Sequence, residues 1–372
     1  MTWNDDELEI LGLISTQYAS EIHPATGGII DKSYVGALAL AHENGNFDRV
    51  LIGYHSSAPD GFQVAAYAAA KTRKLKFLLA HRPGFVAPTL AARQLATLDH
   101  FSDGRLAVHI ITGGSDAEQA RDGDFLTKEQ RYARTDDYID VLKKTWTSTV
   151  PFDHKGPYYE VRDSFSSVKP VQQPHLPVFF GGASDEAIRV AGKHANVYAL
   201  FGETLAGVNE TLSKVRVAAA ANGRQDQIRF SLSLRPILGR TEEEAWNRAQ
   251  RILERAKELK ERGTVSLFRA AKNESTGSQR LQSTASGGAI RDKRLWTEIA
   301  KLTGAQGNST SLVGTPEQVV DALLDYYDLG ISKFLFRGFD PLEDAVDYGR
   351  NLLPLLRETV AKRGRPRVAA AG

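Results

Sequence analysis

Short apolar runs alternate with longer helix-forming stretches along almost the whole chain. This alternation limits the fold more than any other feature of the sequence. Apolar runs at 8–14, 49–54, 75–80, 106–111, 178–180, 196–201, 228–238 and 331–336 have the length and side-chain content of strands. Between and after them, 32–43, 61–71, 88–101, 186–193, 205–221, 242–262 and 341–360 read as helices, as do stretches opening at Thr127 and Thr315. Strands separated by helices pair in parallel through crossovers. A doubly wound sheet of this length needs a domain break, and the sequence offers none. The expected fold is α/β, a closed (β/α)8 TIM barrel spanning 1–372 as a single domain.

Local signals agree with this reading. Thr127-Lys128-Glu129-Gln130 and Thr315-Pro316-Glu317-Gln318 are capping boxes, the second with proline at the first helical position. Asn44-Gly45 and Ser102-Asp103-Gly104 stop helices. The connection at 150–177 is polar, with a hairpin expected around Lys155-Gly156-Pro157. One segment departs from the pattern. Residues 263–311 include Glu274-Ser275-Thr276-Gly277-Ser278 and 283–288, both rich in Ser, Thr and Gly. Its place after the seventh strand makes it an expected flexible lid at the barrel's active face. A basic tail follows at 361–372.

Composition narrows the function classes. Net charge is +2, too near zero for bulk attraction to nucleic acid or an anionic membrane. The chain has no cysteine, so disulfides, thiolate catalysis and Cys-ligated metal are excluded. No stretch has the length and hydropathy of a membrane span, and the acidic start has no apolar signal-peptide core. A cytoplasmic enzyme is the expectation.

In a barrel, chemistry sits at strand C-termini. That rule selects His55, His81 and Arg82, His109 and Thr112, Ser184, Phe201 and Glu203, Arg235, and then Arg337 and Phe339. Histidine pairs with metal-ligand spacing are missing, and carboxylates are scarce at these positions, so no metal is expected. Such a set suits anions and a flat aromatic molecule. The run Val178-Phe179-Phe180-Gly181-Gly182-Ala183-Ser184 ends in a glycine turn at a helix start, one way to hold a phosphate. Asp185 and Glu186 in the first helical turn oppose an anion there.

Several blocks carry a family resemblance: His81-Arg82-Pro83, Pro88 to Asp99, Ser102-Asp103-Gly104-Arg105, Thr112-Gly113-Gly114-Ser115-Asp116, Arg131-Tyr132, and Gln173-Pro174 through Asp185. The sequence resembles the bacterial-luciferase-like, two-component flavin-dependent monooxygenases, and among them the alkanesulfonate monooxygenases. The resemblance implies reduced FMN supplied by a separate NAD(P)H-dependent flavin reductase, O2 as co-substrate, a homodimer or homotetramer, and a role in sulfur metabolism. It implies an organosulfonate cleaved to sulfite and an aldehyde. By position, Tyr132, Gly182, Ala183 and Ser184 would hold the flavin phosphate, with His109 and Thr112 near the ring. Phe201, Arg235, Arg337 and Phe339 would form the substrate shell. From their own chemistry at the rim, Arg235, His55, His81 and His109 are the expected catalytic groups. The sulfonate enzymes carry an Arg-x-His pair on the seventh strand, a tryptophan after the sixth and a tyrosine after the eighth. This chain has Ser233-Leu234-Arg235, Phe201 and Phe339 there. The rivals are a deazaflavin-dependent oxidoreductase on the same barrel, a non-catalytic flavin-binding member, and a barrel lyase or hydrolase.

Overall fold

The computed structural model describes residues 7–264, 275–305 and 309–364. In chain order the strands are β1 (Glu9–Ile14), β2 (Arg49–Ile52), β3 (Lys76–His81), β4 (Leu106–Ile110), β5 (Phe152–Lys155), β6 (Glu160–Ser164) and β7 (Val178–Gly181). They continue as β8 (Val197–Phe201), β9 (Arg229–Leu238), β10 (Ile290–Arg291), β11 (Leu295–Trp296), β12 (Ser311–Gly314) and β13 (Ile331–Phe336). Eight of them, β1-β2-β3-β4-β7-β8-β9-β13, pair in parallel, and β13 returns to β1 to close a (β/α)8 barrel.

Side chains fill the barrel rather than leaving a pore. Leu11, Leu78, Ala107, Phe179, Val197 and Leu335 form the apolar interior. At the strand N-termini Glu9 is buried between Arg49 (2.8 Å) and Lys333 (3.0 Å). A larger apolar layer lies between the strands and the outer helices. It follows from strands whose two faces are both covered.

β9 is long enough to do two jobs. Its first half pairs with β8 and β13. Its second half leaves the barrel and pairs with β12, Arg235 opposite Ser311. β12 carries β11 antiparallel and β11 carries β10, so this arm starts within the 263–311 segment and ends just past it. The described part of that segment also contains the helices Thr276–Ser286 and Glu298–Thr303. Residues 265–274 and 306–308 of the expected lid lie outside the described residues, as do 365–372 of the basic tail.

Both capping boxes form, at Thr127 with Gln130 and at Thr315 with Gln318. The expected hairpin is β5 and β6. The single helix expected at 341–360 is instead Pro341–Asp347, a π-helical turn Tyr348–Leu352, and Leu353–Arg363. Pro354 is the physical reason: it has no N–H to donate and its ring crowds the carbonyl one turn earlier, so the helix widens. Among the described residues no helix is long and apolar enough to cross a membrane.

Candidate functional site

A cavity of about 350 Å³ opens at the C-terminal ends of β4, β7, β8 and β9. Leu51, Ile111, Leu200 and Leu335 give it apolar walls. Its polar points are Arg82, His109, Thr112, Tyr132, Glu203 and Ser233, and Ser275 and Gly277 reach it from the 263–311 segment.

The turn after β7 is built for close approach. Gly182 has φ 137°, where a side chain is strained. A Cβ there would stand 2.7 Å from the Ala187 Cβ and 2.9 Å from the Tyr132 hydroxyl. The Tyr198 hydroxyl donates to the Gly182 carbonyl and fixes the turn. Ser184 caps the helix Asp185–His194, its Oγ accepting from the Ala187 N–H at 3.3 Å. Gly182 and Ala183 line the cavity, while Ser184 sits one residue beyond the lining. Asp185 is exposed.

His109 projects from β4 against Gly181, where even a Cβ would stand only in ordinary contact with its ring at 3.5 Å. The ring is partly open to the cavity, and its buried Nδ1 has no hydrogen-bond partner among the described residues. Burial pushes this histidine down to about 4, so it is neutral at ordinary pH. Thr112 lies on the same wall, its Oγ1 3.4 Å from that of Thr135.

The other expected groups are placed elsewhere. His81 is buried with Nε2 2.6 Å from the Tyr138 hydroxyl, and burial holds it at about 4. His55 is exposed, with Nδ1 2.9 Å from Ser57 Oγ, and lies off the cavity lining. Of the expected substrate shell, only Phe201 reaches the cavity. Arg235 is fully buried: its Nη1 is 2.8 Å from Glu21 Oε1, Nη2 donates to the Gly338 carbonyl at 2.9 Å, and the guanidinium stacks 3.5 Å over the Phe339 ring. Arg337 reaches the same Glu21 oxygen at 3.3 Å. Burial alone would raise the Glu21 carboxyl, but Arg235 and Arg337 outweigh it and hold it at about 2. Phe339 is wholly buried beneath Arg235. The 19–23 loop delivers a carboxylate to these groups that no strand-end rule anticipates.

Arg82, a strand-end residue within the His81-Arg82-Pro83 block, is on the cavity wall. It forms a two-pronged pair with Glu118, both terminal nitrogens 3.1 Å from Oε1, and lies 4.5 Å over the Tyr54 ring. Glu203 is similarly matched, by Arg280 of the helix Thr276–Ser286 at 2.8 Å. Away from the cavity, Asp136, Asp140 and His194 converge on the outer helices, where Lys193 already bridges both carboxylates at 2.7 and 2.8 Å.

The family model described as luciferase-like monooxygenase matches residues 9–333. The chain belongs to that family. Solved structures share its fold at low identity. A riboflavin lyase with modified FMN and substrate riboflavin is 20% identical, with TM-score 0.79 over 98% of this chain and 93% of that one. An EDTA monooxygenase from Chelativorans sp. BNC1 is 18% identical, with TM-score 0.75 over 98% and 96%. An F420-dependent secondary alcohol dehydrogenase with an F420-acetone adduct is 14% identical, with TM-score 0.69 over 94% and 99%. As a luciferase-like monooxygenase, the chain fits a flavin on two observations. Gly182 brings bare backbone to the cavity where a Cβ would collide with Ala187 and Tyr132, and His109 keeps an unpartnered nitrogen, among the described residues, in the cavity wall. Gly182, Ala183 and Tyr132 would hold the phosphate side, and His109, Thr112 and Ser233 the ring side.

Proposed function

We propose that the chain is a reduced-FMN- and O2-dependent monooxygenase of a small organic substrate, with a separate NAD(P)H-dependent reductase supplying the flavin. Family membership and the His109-to-Gly182 cavity support this reading, and the cavity is the observation that carries it. Bound reduced flavin supplies the electrons that activate O2. The protein's own part is positional. Leu51, Ile111, Leu200 and Leu335 keep the reacting face apolar. Phe201 and the segment at Ser275 and Gly277 close the mouth and limit water, acting as the lid. His109, neutral at ordinary pH, accepts or shares a proton at the ring edge. Action as a cytoplasmic dimer or tetramer belongs to the same reading.

An organosulfonate cleaved to sulfite and an aldehyde is the narrower substrate proposal. It came from the resemblance, and the residues offered to bind the sulfonate, Arg235 and Arg337, are both paired with Glu21. The broader reading therefore stands without it. The deciding assay supplies a flavin reductase, NADH, FMN and O2, and follows product from sulfonates and from neutral organic molecules, with sulfite measured. Substrate-dependent oxygenation supports the function; sulfite adds the narrower class. Turnover only with deazaflavin F420, and none with FMN, would replace it with the hydride-transfer reading.

A further inference from the structure

Among the described residues, several charged groups on and near the cavity are matched in ion pairs. Arg82 is paired with Glu118, Arg280 with Glu203 and Glu210, Arg131 with Asp116, and Arg134 with Asp124. Lys128 is not: among the described residues no carboxylate lies within ion-pair distance of it, and its Nζ donates to the Thr276 hydroxyl at 3.2 Å. Lys128 and Thr276 are not themselves part of the cavity lining, but two observations set this cation beside it. Lys128 stands four residues before Tyr132 on the helix Lys128–Thr147, so the two share a face, and Tyr132 lines the cavity beside Gly182. The residues on either side of Thr276, Ser275 and Gly277, line the cavity too.

We propose that Lys128 supplies the positive charge for the ligand's phosphate monoester, and that its bond to Thr276 makes the phosphate a tie between the barrel and the lid segment. This rests on the flavin reading above. The turn at Gly182 to Ser184 offers backbone N–H groups and the Tyr132 hydroxyl but no cation, and Asp185 and Glu186 beside it are acidic. A phosphate held there needs a counter-charge, and an ammonium is suited to it as a compact point charge. The site would then prefer FMN over riboflavin. Binding of the phosphate would also hold the helix Thr276–Ser286 against the helix Lys128–Thr147.

The test compares FMN with riboflavin by equilibrium titration, on the wild-type chain, Lys128→Met, Lys128→Arg and Thr276→Val. Lys128→Met should weaken FMN binding about tenfold, the size of one charge-assisted bond, and leave riboflavin within about twofold. Lys128→Arg should keep the preference. FMN, and not riboflavin, should slow hydrogen exchange in 276–286 of the wild-type chain, and Lys128→Met and Thr276→Val should both remove that effect. Equal affinity of the wild-type chain for FMN and riboflavin overturns the proposal, as does an equal loss of both in Lys128→Met or no loss at all. A wild-type chain that binds neither flavin overturns the proposed function itself, and this proposal with it.

Discussion

Arg235 shows how much a single residue's meaning depends on its partner. At the end of a barrel strand an arginine reads as an anion-binding group. Its actual surroundings are Glu21 at 2.8 Å, two backbone carbonyls and the Phe339 ring. Removing one member of a buried pair leaves the other charge uncompensated, at a cost of about 3–5 kcal/mol. Arg235→Ala should therefore lower stability by that amount in urea unfolding, while FMN affinity of the folded fraction stays within about twofold. An unchanged unfolding midpoint together with a raised substrate KM would return Arg235 to the substrate site. The same pair sets an acid limit. The Glu21 carboxyl lies at about 2 in the folded chain against 4.5 unfolded, so its contribution is full above 4.5 and is lost as pH falls toward 2. Glu21→Gln should flatten the slope of stability against pH across that window. None of this was legible in the sequence, because Glu21 lies in a loop far from Arg235 along the chain and nothing in either local pattern announces the contact.

At the level of elements, legibility followed the strength of local signals. The helices opening at Thr127 and Thr315 were readable because a capping box is a short-range device. β5 and β6 were readable from the glycine and proline between them. The helix Thr276–Ser286 was not, since its sequence is Ser-, Thr- and Gln-rich and its apolar support is only Leu281 and Ala285 against Ala300, Ala305 and Phe201. β10 and β11 are two residues each, below any usable period. That weakly supported helix is tied down by charge instead. Arg280 donates to both oxygens of Glu203 at 2.8 to 3.0 Å and reaches Glu210 at 3.3 Å. Arg280→Ala should speed hydrogen exchange in 276–286 by about tenfold, with the barrel strands unaffected. Uniform acceleration over the whole chain, or no change, would show that Arg280 does not serve as a local tie.

For the whole molecule, the closed barrel was the most legible feature, because alternating strands and helices leave few other topologies. The barrel also fixed where to look, and Gly182, Ala183, Tyr132, Thr112, His109 and Phe201 do meet around one cavity. Which strand-end residues face that cavity was not legible. His81 turned to Tyr138 and Arg235 to Glu21 through contacts made only in the folded chain. The cavity as a flavin site is most sensitive to change at Gly182, since a Cβ there would meet Ala187 and Tyr132 within 3 Å. The most direct measurement is an anaerobic titration of the wild-type chain and of Gly182→Ala with reduced FMN, with thermal unfolding of both as a control. The wild-type chain should show saturable one-site binding, and a still-folded Gly182→Ala should bind at least about tenfold more weakly. Absence of binding by the wild-type chain, or equal affinity in the two, would contradict the cavity as a flavin site.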